Sequence, residues 1–370
     1  MIYLDNAATT KPFENVIHRM HAFYADSYFN PSALYAPAAR VATEIEKARA
    51  YIENALGGGG KLYFTSGATE SNSWVYQCGV KNKKGNIVVS MGEHASGYEN
   101  AQALSGKGQD VRYVRLQRDG TVDREDFLRK IDADTTLVSV IHCSNETGAV
   151  NDLPFLVRAV KKIAPRALFH SDGVQALAKI PVNCRNAGVD LYSISAHKIG
   201  GVKGVGALWV REGIRLQPLL KGGGQEGGAR SGTENVAGIA GFAEALGSFM
   251  QVDTQAIGRW RDTIKSALLS VENVRINEAA CNSPYILSFS VPGIRAEHLQ
   301  RMLAEKDILI GLGSACSARH KNNRVLAAMG CDKSQIEGSA RISFGAQNLQ
   351  DDMHYVASVL TESIENLRTK

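Results

Sequence analysis

The sequence lacks a long apolar run. No stretch approaches the roughly 18 consecutive apolar residues that a membrane-spanning helix needs. Its first residues carry Asp5 where a secretory signal peptide would be apolar, and they have no basic start. We therefore expect no membrane association and a cytoplasmic location.

Cysteine is sparse and widely spaced. The 370 residues include six cysteines and no Cys-x-x-Cys pair, which argues against a disulfide framework or a closed zinc site. No metal is expected. A single reactive cysteine remains possible, and only its sequence neighbourhood can identify it.

The chain also lacks a large excess of charge of either sign. The formal net charge is +5, and the basic residues are scattered rather than gathered in a stripe, so we expect no direct contact with nucleic acid. Hydrophobic residues make up 44% of the chain, an ordinary value for a globular protein that makes disorder unlikely as an overall state. The small positive excess is a weak indication of anionic ligands.

Short apolar runs alternate with amphipathic stretches over the first two thirds of the chain. This alternation predicts an α/β fold, with a large domain whose mostly parallel seven-stranded sheet is flanked by helices. The predicted strands are 61–65, 86–90, 111–116, 136–143, 167–171, 189–194 and 204–210.

The pattern changes after Glu234. A long helical stretch from Glu234 to Val271 precedes a smaller α+β unit, for which we predict strands 286–291, 308–313 and 340–344, a helix at 296–305 and a carboxyl-terminal helix. We assign residues 13–250 to a large cofactor-binding domain. Residues 1–12 and 251–370 form a small domain that carries a cysteine loop.

Polar clusters follow several of the predicted strands. They begin at Ser66, Ser144, Asp172 and Ser195. In parallel α/β sheets, ligands bind beyond the carboxyl ends of the strands. The clusters therefore predict one site rather than unrelated loops.

Each cluster alone has a structural alternative. Lys198 follows a strand and suits a Schiff base with an aldehyde cofactor, but it could be a surface lysine beside a glycine turn. Asp172 could pair with a protonated pyridine nitrogen or cap a helix. The segment 66–70 could cradle a phosphate, or Thr69 could cap the following helix. His94 could stack on an aromatic cofactor.

The segment 222–235 is too rich in glycine for regular structure. Within it, Arg230 and Thr233 suggest an ordered loop that contacts an anion, rather than a linker.

Taken together, these segments resemble the cysteine desulfurases, pyridoxal-phosphate enzymes of the class V aminotransferase superfamily. The matching segments run in family order along nearly the whole chain: YLDNAATT (3–10), FTSGATESN (64–72), SNETG (144–148), HSDGVQA (170–176), SAHKIGG (195–201), RSGTEN (230–235), GSACS (313–317) and RISFG (341–345).

The resemblance implies a type I fold, a homodimer and pyridoxal 5'-phosphate as cofactor. It implies that Lys198 holds the cofactor covalently, that His94 stacks on its ring and that Asp172 pairs with its pyridine nitrogen. Gln175 would contact the phenolic oxygen. The implied phosphate-binding residues are Ala68, Thr69, Ser195, His197 and Thr233 of the partner subunit.

The resemblance further implies that L-cysteine is the substrate. Asn145 and Arg341 would bind its carboxylate, and Cys316 would receive the sulfur as a persulfide. The implied catalytic residues are therefore Cys316, Lys198 and His94. The sulfur would pass to an acceptor or scaffold protein in iron–sulfur cluster assembly, tRNA thiolation or cofactor biosynthesis.

The chain departs from the family pattern in places. No histidine follows the Asn-Pro-Ser segment 30–32, and the loop after Cys316 lacks the Glu-Pro-Ser often found there. That loop is basic instead, with Arg319, His320, Lys321 and Arg324, and nearby cations favour a thiolate. Cys143 stands where an apolar residue is usual, and we interpret it as a packing residue.

Other functions remain open at this point. A selenocysteine lyase or a cysteine-sulfinate desulfinase would share the cofactor residues, and an aminotransferase of the same superfamily would not need Cys316. The chain could also be a catalytically silent scaffold that binds a sulfur carrier. The presence of Lys198, Asp172, His94 and Cys316 favours an active enzyme.

Overall fold

The computed structural model describes residues 1–78, 85–312 and 323–369. The strands are β1 (Ile2–Leu4), β2 (Gly60–Thr65), β3 (Asn86–Ser90), β4 (Asp110–Val114), β5 (Thr135–Ser139), β6 (Leu168–Asp172), β7 (Leu191–Ser195), β8 (Gly206–Arg211), β9 (Arg275–Ile276), β10 (Ile286–Ser290), β11 (Ile308–Ile310) and β12 (Ser339–Ser343).

The α-helices are α1 (Glu14–Ala25), α2 (Ala36–Ala55), α3 (Ala68–Cys78), α4 (Ala95–Ser105), α5 (Arg124–Lys130), α6 (Leu153–Ile163), α7 (Cys184–Ala187), α8 (Val236–Phe249), α9 (Thr254–Leu269), α10 (Ala296–Ala304), α11 (Arg324–Ala328), α12 (Lys333–Glu337) and α13 (Met353–Arg368). Within the described ranges, none of these helices is both long enough and apolar enough to cross a membrane.

The large sheet has seven strands in the order β2-β8-β7-β6-β5-β3-β4. Strand β8 is antiparallel to both of its neighbours, and the other adjacent pairs are parallel. The predicted fold class, a mostly parallel seven-stranded sheet flanked by helices, is confirmed. The predicted strand 136–143 was too long, because β5 ends at Ser139.

Helices cover both faces of this sheet, which is why its central strands are buried along almost their whole length rather than at alternate residues. Every residue of β3 and of β7 is buried. Successive side chains point to opposite faces, so Val88 belongs to the core that contains α2 and α6 residues, and Val89 belongs to the core beneath α3.

The carboxyl-terminal part contains a second, three-stranded sheet in the order β12-β10-β9, and β1 pairs in parallel with β11. The helical stretch predicted from Glu234 to Val271 consists of two helices. Helix α8 ends at Phe249, and Asp253 starts α9 by accepting a hydrogen bond from the Ala256 amide. The domain boundaries proposed from the sequence stay a prediction.

Candidate active site

A cavity of about 410 Å³ opens at the carboxyl ends of the parallel strands. Its size lies in the range of small-molecule pockets, roughly 300–1,000 Å³. The structure brings these predicted site residues to its lining: Ala68, Thr69, His94, Asn145, Asp172, Gln175, Ser195, His197, Lys198 and Arg341.

One end of the cavity is the start of α3. The first amides of an α-helix have no partner within the helix and favour anions, and Ala68 and Thr69 in this turn line the cavity. Strand β8 approaches the loop before the helix very closely, since a Cβ on Gly206 would lie 2.7 Å from the Gly67 Cα. A phosphate group fits this end.

The anion contact predicted for Arg230 is made within the chain. The Arg230 guanidinium donates to the Glu70 carboxylate, with Nε 2.8 Å from Oε1, and the Ser66 amide donates to the same carboxylate at 2.8 Å. Burial acts to raise the pKa of Glu70, but these hydrogen bonds outweigh it and lower the pKa. Glu70 therefore stays ionised and paired beside the helix start.

Lys198 ends the short 3-10 turn that follows β7. Its Nζ donates to the backbone carbonyls of Ala7 and Ala8, each at 2.6 Å. The amino-terminal segment thus holds the amine at the cavity wall, where Lys198 can reach a bound aldehyde.

His197 is anchored to the same segment. Its Nδ1 lies 3.1 Å from the Thr9 hydroxyl oxygen, and the Thr10 hydroxyl donates to its backbone carbonyl at 2.9 Å. Burial, aided by the nearby charge of Lys198, lowers the pKa of His197 to about 3. The imidazole is therefore neutral at physiological pH and can donate one hydrogen bond to a ligand.

Asp172 is a buried carboxylate that is held by amide groups. Its Oδ2 accepts from the Asn72 amide at 2.8 Å and its Oδ1 from the Val174 backbone amide at 3.0 Å. Among the residues that the structure describes, no lysine, arginine or histidine forms an ion pair with it. Burying an unpaired carboxylate is costly, and a protonated ring nitrogen in the cavity would supply the missing charge.

His94 caps the amino terminus of α4, because its ring accepts a hydrogen bond from the Ser96 amide. The Ser96 hydroxyl also lies 2.8 Å from Nδ1 and accepts from the Asn72 amide at 2.9 Å. Burial lowers the pKa of His94, so its ring is neutral. Asn72 therefore links the histidine and Asp172 in one hydrogen-bonded group.

Arg341 projects from β12 and is almost wholly buried. Its Nη1 donates to the Asn145 backbone carbonyl at 2.6 Å, and its Nη2 donates to Asp5 Oδ1 at 2.8 Å. Its Nε has no hydrogen-bond partner in the described part of the chain. A guanidinium with a spare donor suits a carboxylate ligand.

One predicted site residue lies apart from this cavity, and another lies outside the residues that the structure describes. Thr233 is exposed and lines a separate cleft of about 170 Å³, which shares Ser66 and Gly204 with the main cavity. Cys316 lies outside the described residues, as do Arg319, His320 and Lys321.

Arg324, expected as one of the cations beside Cys316, is engaged elsewhere. Its guanidinium donates to the backbone carbonyls of Met91 and Glu93 and lies 4.0 Å from the centre of the Tyr98 ring. It thus ties the start of α11 to the loop that carries His94.

Cys143 is fully buried, and burial raises the pKa of its thiol to about 12. A thiol in such surroundings is inert. Its interpretation as a packing residue agrees with this placement.

Sequence reasoning assigned no role to several residues that hold the site together. Asp5, Ala7 and Asn72 stand inside the quoted segments 3–10 and 64–72, so membership of those segments was the available signal. Ala7 acts through its backbone carbonyl, which residue type cannot reveal.

Comparison with known proteins identifies the protein family to which this chain belongs. The family profile described as Aminotransferase class-V matches residues 2–356. The chain belongs to the class-V aminotransferase family. The family depends on pyridoxal phosphate, so the predicted cofactor and enzyme class are confirmed.

Its relatives within this family are cysteine desulfurases. The chain is 35% identical to cysteine desulfurase IscS of Dictyoglomus turgidum, over 100% of this chain and 95% of that protein. A solved NifS-like protein superimposes with a TM-score of 0.91 at 33% identity and covers 100% of both chains. A structure titled SspA in complex with cysteine has a TM-score of 0.83 at 28% identity, covering 94% of this chain and 99% of the other.

The cavity fits pyridoxal phosphate on its own geometry. A helix amino terminus lies at one end, a lysine amine lies at the wall, and a buried carboxylate with no cation partner among the described residues lies between other lining groups. The residues predicted to bind the phosphate, Ala68, Thr69, Ser195 and His197, and those predicted to bind the ring, Asp172, His94 and Gln175, all line this cavity; their roles stay a prediction.

Proposed function

We propose that this protein is a cysteine desulfurase that converts L-cysteine to L-alanine and leaves the sulfur on Cys316 as a persulfide. The observation that carries the proposal is that one cavity is lined by Lys198, by the buried carboxylate of Asp172 and by the buried guanidinium of Arg341. The matching family and relatives support it.

Arg341 and Asn145 bind the substrate. Arg341 receives the cysteine carboxylate and is oriented by the Asn145 carbonyl at 2.6 Å. A charge-assisted hydrogen bond of this kind contributes about 1.5–3 kcal/mol, enough to hold a small amino acid in one orientation.

Lys198 acts as the base at the substrate Cα. When bound, the cofactor supplies an aldehyde for amines and an electron sink for the bonds at Cα. Asp172 would hold a proton on the ring nitrogen, His94 would pack against the ring, and the neutral His197 would donate to the phosphate. The Lys198 amine would take up the Cα proton of the substrate.

Cys316 is the sulfur acceptor. Its thiolate attacks the substrate sulfur, so that an S–S bond forms and the substrate C–S bond breaks. Cysteine and the enzyme thiol are thereby converted to alanine and an enzyme persulfide, with no external oxidant or reductant.

We further infer a homodimer in which Thr233 of the partner subunit binds the phosphate. The exposed position of Thr233 on a rim shared with the main cavity supports this arrangement. So does a cluster of exposed apolar side chains, since such patches mark interaction surfaces; Leu34, Tyr28 and Tyr35 are 102%, 69% and 53% exposed.

We also propose that the persulfide passes to a sulfur-acceptor or scaffold protein in the cytoplasm. Cys143, Cys184, Cys281 and Cys331 are free thiols, which suits a reducing compartment. Iron–sulfur cluster assembly is the pathway we favour, as the similarity to an IscS protein supports it.

The decisive experiment follows the products of L-cysteine. Purified protein loaded with pyridoxal phosphate should be yellow and should release alanine while forming a protein-bound persulfide. Lys198→Ala should fold, lose the visible absorbance and lose turnover. If Lys198→Ala turns over cysteine at the parent rate, the proposal is wrong.

Cys316→Ala separates the alternatives. A desulfurase variant keeps the colour and still binds cysteine but makes almost no alanine or persulfide. Undiminished alanine release would indicate a lyase or desulfinase that needs no protein thiol. An aminotransferase would convert cysteine to its keto acid, and a silent scaffold would yield no product with either protein.

A further inference from the structure

Lys179 is a buried lysine that none of the roles above uses. It lies four residues after Gln175 and is 3% exposed. Its Nζ donates to Gln175 Oε1 at 2.8 Å and lies 5.9 Å from the centre of the Tyr285 ring. Within residues 1–78, 85–312 and 323–369, no carboxylate forms an ion pair with it. An ammonium group placed beneath the cavity without an anion calls for an explanation.

The contact with Lys179 determines which end of the Gln175 amide faces the cavity. When Lys179 is charged its ammonium group only donates hydrogen bonds, so it binds the amide oxygen and not the amide nitrogen. The nitrogen then points the other way, and Nε2 donates to the Ala7 carbonyl at 2.9 Å. Both Gln175 and Ala7, which accepts from this donor group, line the cavity.

We infer that Lys179 is a positioning residue that fixes Gln175 with its NH₂ group toward the phenolic oxygen of the cofactor. The inference rests on the proposed function and extends it to a residue that does not itself touch the cofactor. Without Lys179, one of the two hydrogen bonds that hold the amide is lost and the bond to the Ala7 carbonyl remains, so the amide turns over more easily and presents its oxygen, which repels an anionic phenolic oxygen. With Lys179, the site presents only a donor.

The electrostatic surroundings agree with this role. Lys198, Arg341, Cys143 and Tyr285 are the titratable groups around Lys179. Burial, together with the charges of Lys198 and Arg341, lowers the pKa of Lys179 to about 7. A negative oxygen bound at Gln175 would favour the charged lysine, so cofactor and ammonium stabilise each other.

The first test is binding of pyridoxal phosphate to the apoenzyme, followed by the visible absorbance. Lys179→Met removes the ammonium but keeps the length of the side chain. We expect at least about tenfold weaker binding, the usual effect of losing a charge-assisted hydrogen bond. We also expect the pH midpoint of the visible band to rise, because the phenolic oxygen loses its fixed donor. Lys162→Met, on the exposed face of α6, is the control and should bind as the parent does.

A double-mutant cycle separates positioning from general stability. In a Gln175→Ala background, Lys179→Met should change cofactor affinity less than about twofold, because contacting residues that act through one another are not additive. Full additivity would show that Lys179 does not act through Gln175 and would overturn the inference.

Gln175→Glu covers the case in which Lys179→Met fails to fold. The carboxylate keeps Lys179 paired but offers an acceptor to the cavity, so cofactor binding should weaken while thermal stability is retained. Parent-like binding by Gln175→Glu would also overturn the inference. If the parent protein binds no pyridoxal phosphate, the proposed function itself fails. If the parent binds it but the effects of the two substitutions are additive, only the role of Lys179 is contradicted.

Discussion

Asp5 and Arg341 form an ion pair at the substrate end of the cavity, with Asp5 Oδ1 2.8 Å from Arg341 Nη2. The pair joins the residue after β1 to a residue in β12. It is closely enclosed, since a Cβ on Gly311 would lie 2.5 Å from Asp5 Oδ1 and 3.1 Å from Arg341 Nη2. One edge of the guanidinium is thus occupied by a carboxylate of the chain, and the substrate carboxylate must use the donors that remain.

Asp5→Asn should therefore strengthen cysteine binding. Asparagine keeps an oxygen that accepts from Nη2 but removes the negative charge that repels the substrate carboxylate. If this repulsion amounts to about 1 kcal/mol, KM should fall by a few-fold. Steady-state kinetics at several cysteine concentrations measures this. A higher KM with unchanged kcat would mean that Asp5 positions Arg341 rather than competing for it.

Arg341→Lys should weaken cysteine binding by about tenfold or more. A lysine keeps the charge but cannot donate in the planar, bidentate way that suits a carboxylate, and it cannot reach Asp5 and the Asn145 carbonyl at once. KM should rise more than kcat falls. An unchanged KM would place the substrate anchor elsewhere.

The sequence predicted those parts of the site that depend on residue type at a strand end. Lys198 and Asp172 could be proposed because few other residue types can do their chemistry, whereas Arg341 was proposed only through the family segment 341–345. The partners of these residues could not be predicted in the same way. Asp5 meets Arg341 only after β1 pairs with β11, and the Ala7 carbonyl carries no side-chain signal.

The sequence also did not reveal some helix and strand boundaries, because these depend on local capping or on contacts between distant residues. The helical pattern from Glu234 to Val271 has no proline to interrupt it, and the break appears only where Asp253 caps a new helix. Strand β1 has three residues, too few for a period-2 pattern to be distinguished. The predicted anion contact of Arg230 was made by Glu70, a residue that lies far away in the sequence.

Arg49 and Glu226 form a buried ion pair that anchors the glycine-rich loop carrying Thr233. Arg49 Nη1 lies 2.7 Å from Glu226 Oε2, and the Phe64 amide donates to the same oxygen at 3.1 Å. Removing one partner leaves an uncompensated buried charge, so Glu226→Ala should destabilise the protein by about 3–5 kcal/mol.

Glu46→Ala is the matched control for Glu226→Ala. Glu46 also contacts Arg49, at 3.1 Å, but its side chain is 68% exposed, and exposed pairs contribute less than about 1 kcal/mol. Urea unfolding of the two variants compares them directly. Equal losses of stability would contradict the special role of the buried pair.

Glu93 is a fully buried carboxyl group next to His94. Its Oε1 accepts from the Ile141 amide at 2.5 Å, and its Oε2 lies 3.3 Å from the Ser139 hydroxyl. Burial, and then the negative charge of Asp172, raise the pKa of Glu93 to about 8. The folded apoenzyme therefore keeps this group protonated at neutral pH.

The protonation of Glu93 predicts a pH effect on the stability of the apoenzyme. Between the ordinary carboxyl pKa near 4.5 and about 8, the folded protein holds a proton that the unfolded chain releases. The contribution of Glu93 to stability is thus fully present below that range and is lost as pH rises toward 8, with a slope of about 1.4 kcal/mol per pH unit.

Glu93→Gln is neutral at every pH and can donate to Ser139, so it should remove this slope and be more stable than the parent at pH 8. Urea unfolding of both apoproteins at pH 5 to 8 makes the measurement. Parallel pH profiles for parent and variant would show that Glu93 is ionised in the folded protein.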